Sequence, residues 1–242
     1  MGMAWFMGLT AITLFAEAIS EQWRYAVQHN QLDVISRHLT KLDNVDLPTQ
    51  RGKTALMAAA GQGATDLVGT LLAAGANINA SNRNFGTALM YAVWSGSIAT
   101  VRLLLEQGAS VNQQATNGWS ALMMAAAKGY PTLAKLLLEQ GAAVNLPDVY
   151  GWTPLMRAAY AGHADVVAVL LAHSGLALET RNDRGQTALH LAVIQGNMPI
   201  VRDLLANGAK PNTRDFAGHT PRSIASALGY RQLNVLLSDK AH

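Results

Sequence analysis

The chain has 242 residues, half of them hydrophobic and 14% charged, with a formal net charge of +3 from 18 basic and 15 acidic side chains. An average soluble protein is about a quarter charged, so this surface is weakly charged, and with no run of basic residues nucleic acid is not an expected partner. The absence of cysteine removes thiolate catalysis, cysteine-rich zinc sites and redox pairs, and no cofactor is expected.

Residues 1–18 stand apart from the rest of the chain. Met1 to Ala16 has no charged side chain and is largely apolar, and Ala16-Glu17-Ala18 then places small residues at the two positions a signal peptidase reads. The segment is expected to be a signal peptide cut before Ile19, leaving Ser20 to cap the first helix ahead of Glu21. Export, periplasmic or secreted, follows from cleavage. Two alternatives remain open: an apolar helix packed on the first unit, or a short membrane anchor, although a bilayer span usually takes about 20 apolar residues. If the segment is retained, the protein is cytoplasmic or membrane-anchored, in the latter case as a tethered scaffold, and membrane contact is expected only then.

From residue 19 onward a period governs the chain. Glycine recurs at Gly63, Gly96, Gly129, Gly162, Gly196 and Gly229, in steps of 33, 33, 33, 34 and 33. A hydroxyl ladder, Thr54, Thr87, Ser120, Thr153, Thr187 and Thr220, keeps the same steps. Periods of about 20–50 residues signal stacked supersecondary units rather than one globular core. In the unit opening at Arg51, Thr54 caps a helix through Ala55–Ala60 and Gly63 ends it. Asp66–Leu72 form a second helix ended by Gly75, and the polar stretch from Asn77 crosses to the next unit as a turn or hairpin.

Residues 19–50 read as a degenerate first unit. Asn30 stands 33 residues before Gly63, and Trp23, Ala26, Leu32, Ile35 and Leu39 keep a helical apolar stripe. Full units then occupy 51–83, 84–116, 117–149, 150–183 and 184–216, and 217–242 closes the array. Phe85 stands where other units place a loop glycine. One residue is inserted near Ala172–Ser174 and is expected to lengthen a helix end.

Thr153-Pro154-Leu155, Thr220-Pro221 and Thr187-Ala188-Leu189-His190, with the Gly-Ala pairs and following asparagines after Gly75, Gly108, Gly141 and Gly208, resemble the ankyrin repeat family over roughly residues 20–242. The resemblance implies an all-α solenoid of stacked helix-turn-helix units with hairpin loops. It also implies a monomeric, non-catalytic module that presents a concave surface to a protein partner. Met57, Met90, Met123 and Met156 replace the signature histidine, which in the family ties the hairpin to the helix start. They are read as inter-repeat packing.

Function is sought at the positions the period does not dictate. Trp119 and Trp152 follow the loop glycine of adjacent units and should be lateral neighbours. Trp94, Lys128 and Tyr160 fall near the ends of first helices, and Arg51, Arg83, Tyr150, Arg184 and Phe216 at hairpin tips. Aromatics and arginine dominate binding energy, so these ten form the expected partner-binding surface. The alternative is that the rings pack on neighbouring hairpins. An enzyme or small-ligand binder in the same groove finds little support: Asp148, Asp183 and His219 are scattered at tips with no consistent acid–base spacing. His219 beside Asp183 and Asp215 in a deep pocket would reopen that reading. No catalytic or metal-binding residue is expected.

Overall fold

The computed structural model describes residues 17–42 and 44–239. It falls into two compact units divided between Ser110 and Val111. Among the described residues every regular element is helical.

The first unit opens with α1, residues 17–28, and α2, Leu32–His38. Asn30 between them has φ of 54°, a left-handed turn that asparagine accepts more readily than other side chains. Trp23 is fully buried and donates its indole N–H to the Leu47 carbonyl at 3.2 Å. In the uncut chain Ser20 lies within α1, which is already helical at residue 17; its expected place as a cap applies to a chain cut before Ile19. The proposed cut before Ile19 falls inside the same helix, and residues 1–16 lie outside the described residues. Two helix pairs follow, α3 (Ala55–Gly61) with α4 (Thr65–Ala73), and α5 (Ala88–Ser95) with α6 (Ile98–Glu106).

The second unit holds α7 (Ala121–Lys128) with α8 (Pro131–Glu139), α9 (Pro154–Ala161) with α10 (Ala164–Leu171), α11 (Ala188–Ile194) with α12 (Met198–Ala206), and α13 (Pro221–Ala227) with α14 (Arg231–Asp239). Within it, α7, α9, α11 and α13 stack in order and α8, α10, α12 and α14 form the row behind them. In the first unit α3 packs on α5 and α4 on α6.

The local chemistry explains the repetition. The hydroxyls of Thr54, Thr87, Ser120 and Thr153 accept from the backbone N–H of Met57, Met90, Met123 and Met156 at 3.2 to 3.4 Å, filling donors that a helix start leaves unpaired. Those methionines are at most 2% exposed, so they are core, and alanines around them let the first helices approach closely. Second helices bury one stripe: Leu71, Leu104, Leu137, Leu170, Leu204 and Leu237 sit in one register and are all fully buried, each contributing about 1.5–3 kcal/mol. His190, where the signature histidine persists, accepts from Thr187 N–H at Nδ1 (3.2 Å) and reaches the His219 carbonyl from Nε2 (3.2 Å).

Polar side chains knit one repeat to the next. Asn79 accepts from Ser110 N–H, Asn112 from Ala143, Asn145 from Ala177, and Glu179 from Lys210, at 2.7 to 2.9 Å. The inserted residue near Ala172 does not lengthen a helix. The helix α10 has eight residues where α8 and α12 have nine, and the extra residue widens the turn over 172–175.

Candidate functional site

The loop tips that carry most of the predicted residues are held by two kinds of bond. Backbone bonds join neighbouring tips: Arg83 N–H to Arg51 carbonyl (3.1 Å), Val149 to Asn117 (3.2 Å), Asp183 to Tyr150 (2.9 Å) and Phe216 to Arg184 (3.0 Å). Within four of the tips, a side-chain oxygen at a fixed position accepts two loop amides. Asn82 Oδ1 takes Asn84 and Gly86, Asn182 Oδ1 takes Arg184 and Gln186, and Asp215 Oδ1 takes Ala217 and His219. At Asp148 the same atom takes Tyr150 and Trp152, both at 2.9 Å.

Asp148 differs in pairing its charge with an arginine from the following helix. Its side chain is fully buried, and Oδ2 receives Arg157 Nη2 from α9, whose side chain is 22% exposed. The Arg157 guanidinium carbon in turn lies 4.5 Å from the Trp152 ring centroid and 4.9 Å from that of Trp119. Trp152 meets Tyr160 edge-on at 5.4 Å. One buried carboxylate therefore sets the loop that presents Tyr150 and Trp152 and also aims the cation both tryptophans lie against. A cation over an aromatic face adds about 0.5–2 kcal/mol, and edge-to-face rings about 0.5–1.5. The cluster is thus ordered before any partner arrives.

Beside it opens a recess of 540 Å³ lined by Tyr150, Trp152, Arg157, Tyr160, Asp183, Arg184, Gln186, Leu191 and Ile194. Tyr150 is 58% and Tyr160 47% exposed. Its floor is apolar, from Leu191 and Ile194, and its rim is aromatic and charged. Of the ten predicted residues, the structure brings Trp119, Tyr150, Trp152, Tyr160 and Arg184 into this one cluster. Lys128, at the end of α7, and Phe216, which is 71% exposed and packs against Gly185, belong to the same unit but do not line the recess. Arg51 and Arg83 line a separate recess of 390 Å³ in the first unit, with Gln28, Lys53, Asn82, Asn84 and Tyr91, and Trp94 is an exposed ring at the end of α5 in that unit.

Reasoning from the sequence missed Arg157 and underused Asp148. The signal was there in register: residues 49, 82, 148, 182 and 215 are Thr, Asn, Asp, Asn and Asp, all able to accept loop amides, and the position nine further on is Tyr91 in one unit and Arg157 in another. Asn82 Nδ2 donates to Tyr91 Oη at 3.1 Å, a neutral version of the Asp148–Arg157 bond.

The acid–base alternative centres on His219. Its Nδ1 lies 3.6 Å from Asp215 Oδ2, but the imidazole is 61% exposed on a loop, and Asp183 lines the aromatic recess instead. Among the described residues no group of three or more histidines and carboxylates gathers to hold a metal, and no helix is long and apolar enough to cross a membrane.

Comparison with known proteins gives a consistent result. A family model described as ankyrin repeats (3 copies) matches residues 23–115 and 108–182, and a second, ankyrin repeats (many copies), matches 170–225. Among curated proteins, the Arabidopsis thaliana potassium channel AKT1 is 40% identical over 58 residues, 24% of this chain and 7% of the channel. Human protein phosphatase 1 regulatory subunit 27 is 44% identical over 55 residues, 23% of this chain and 36% of that protein. Human BRCA1-associated RING domain protein 1 is 54% identical over 35 residues, 14% of this chain and 4% of that protein. The chain spans only a small part of each of these relatives.

Proposed function

The chain belongs to the ankyrin repeat family, and from that membership we propose that it is a non-catalytic module that docks a protein partner on the aromatic–arginine cluster of its second unit. The observation that supports this most is the ordering of that cluster: Asp148 fixes Arg157 against Trp119 and Trp152, beside a recess whose tyrosines remain exposed. A surface held in place before docking loses little conformational entropy when a partner arrives, so affinity follows from the anchors it buries. Arginine and large rings are the side chains that most often supply such anchors. One relative is by name a regulatory subunit, which agrees with a role exerted through another protein.

The test removes the exposed rings and spares the hub. Tyr150→Ser with Tyr160→Ser should leave the melting temperature of the purified chain within a few degrees, because Tyr150 is mostly in water and half-exposed Tyr160 gives up chiefly its edge-on contact with Trp152, about 0.5–1.5 kcal/mol. It should abolish recovery of the partner captured by the wild-type chain from its native cells. Full recovery by the folded variant would eliminate this surface as the docking site.

A further inference from the structure

The first unit carries a second feature, chemically unlike the aromatic cluster. Two recesses, of 390 and 850 Å³, share Gln28, Arg51 and Arg83 in their walls; Lys53 lines the first and Arg24 the second. The bond from Arg83 N–H to the Arg51 carbonyl holds the two loop arginines side by side. Four cations thus line one continuous surface, and among the described residues Glu21 is the single carboxylate in either wall.

Among the described residues none of these four cations is held in an ion pair. Among the described residues of this unit, ion pairing is confined to Arg37 with Asp33. Lys53 is half-buried, its ammonium donating to Asn30 Oδ1 at 2.5 Å and lying 6.0 Å from the Tyr91 ring centre. Burial pulls its pKa below the ordinary lysine value, as expected for a cation without a counter-charge. The second unit treats its half-buried cation differently, giving Arg157 a buried carboxylate. Like charges gathered without partners cost stability, and an incoming anion would remove that cost.

We propose that this basic cleft binds an acidic, carboxylate-rich segment of a partner protein. The cations come from three separate elements, α1, the loop before α3 and the loop before α5. They line two adjoining recesses rather than one, as a run of Asp and Glu side chains requires. The exposed amides of Gln28 and Asn84 can pair with the backbone of an extended peptide. The inference shares with the proposed aromatic docking site only the premise that the partner is a protein, and its residues are all different.

The test uses the full chain and a fluorescein-labelled glutamate-rich peptide of about ten residues, read by anisotropy. The glutamate peptide should bind, with affinity falling as NaCl rises from about 50 to about 300 mM. Its glutamine counterpart should bind at least about tenfold more weakly, as charge-assisted contacts require. Arg51→Gln with Arg83→Gln, exposed changes that relieve like-charge repulsion and should not lower the melting temperature, should weaken the glutamate peptide by at least about tenfold. Tyr150→Ser with Tyr160→Ser should leave it unchanged, so that failure of the aromatic surface and failure of the basic cleft are told apart. Wild-type affinity in the double arginine variant would overturn the proposal. So would tighter binding of a single-stranded oligonucleotide of similar length than of the peptide.

Discussion

Asp148 and Arg157 offer the sharpest test of how the candidate site is built, because the next repeat shows what can replace them. At the equivalent positions stand Asn182, whose Oδ1 accepts the loop amides of Arg184 and Gln186, and Leu191, 1% exposed. Arg157→Leu leaves the fully buried Asp148 carboxylate with its two amide donors but no counter-charge. Breaking such a pair from one side costs about 3–5 kcal/mol. The pair is open to water on the arginine side, so a loss near about 3 kcal/mol is expected. Asp148→Asn preserves an acceptor for Tyr150 and Trp152 and removes only the charge. Arg157 keeps its aromatic contacts and partial exposure, so the loss should be about 1.5 kcal/mol, the low end of the range for one hydrogen bond to a charged group.

The double variant installs the Asn182–Leu191 arrangement one repeat earlier. It leaves no unpaired buried charge, and should cost about 1 kcal/mol, well under the sum of the single changes and a coupling of about 3 kcal/mol. Urea unfolding followed by tryptophan fluorescence measures the cycle, since Trp119 and Trp152 report on the site itself. Native-state hydrogen exchange at the Tyr150 and Trp152 amides locates it. Additive losses in the double variant would refute the account of Asp148 as a buried charge that requires Arg157.

Two further changes probe the frame. His190 is fully buried and used as a neutral ring, and burial holds its pKa below the ordinary value despite the His219 carbonyl beside it. Below about pH 6.5 the unfolded chain therefore takes up a proton that the folded chain resists, so this contribution is complete above that pH and declines as pH falls toward the folded-state pKa. His190→Met, the residue at this position in four other repeats, should flatten the fall in melting temperature between about pH 6.5 and 5; an unchanged slope would assign that fall to other groups. Phe85 has φ of 57° where other loops have glycine, and its ring is 56% exposed. Phe85→Gly should relieve left-handed strain of about 1–2 kcal/mol, less the entropy glycine adds to the unfolded chain, for a net gain of about 0.5–1 kcal/mol in urea unfolding; a loss would mean that the ring packs more than its exposure suggests.

What the period dictates could be read from the chain, and what departs from it could be read only in part. A glycine or a capping hydroxyl acts within its own turn, so its role shows in spacing alone, and the left-handed Asn30 and the buried methionines follow from register. One extra residue near Ala172 can be absorbed by a helix end or by a turn, and nothing in the local sequence decides between them; the structure takes it up in the turn over 172–175. The adjacency of Trp119 and Trp152 was legible as a one-repeat offset. The guanidinium they both face was not, because Arg157 lies on a first helix, where period-based reading expects core. Its position holds Ala58, Tyr91, Met124, Leu191 and Ile224 elsewhere, a mixture that packing alone does not impose. A site on a repeat scaffold is thus found at positions where the residue type changes from unit to unit while the backbone does not. The loop oxygen of Asn82, Asp148, Asn182 and Asp215 is frame, because every one of them accepts two loop amides. The charge on Asp148 becomes specific only when the residue nine positions later is a cation.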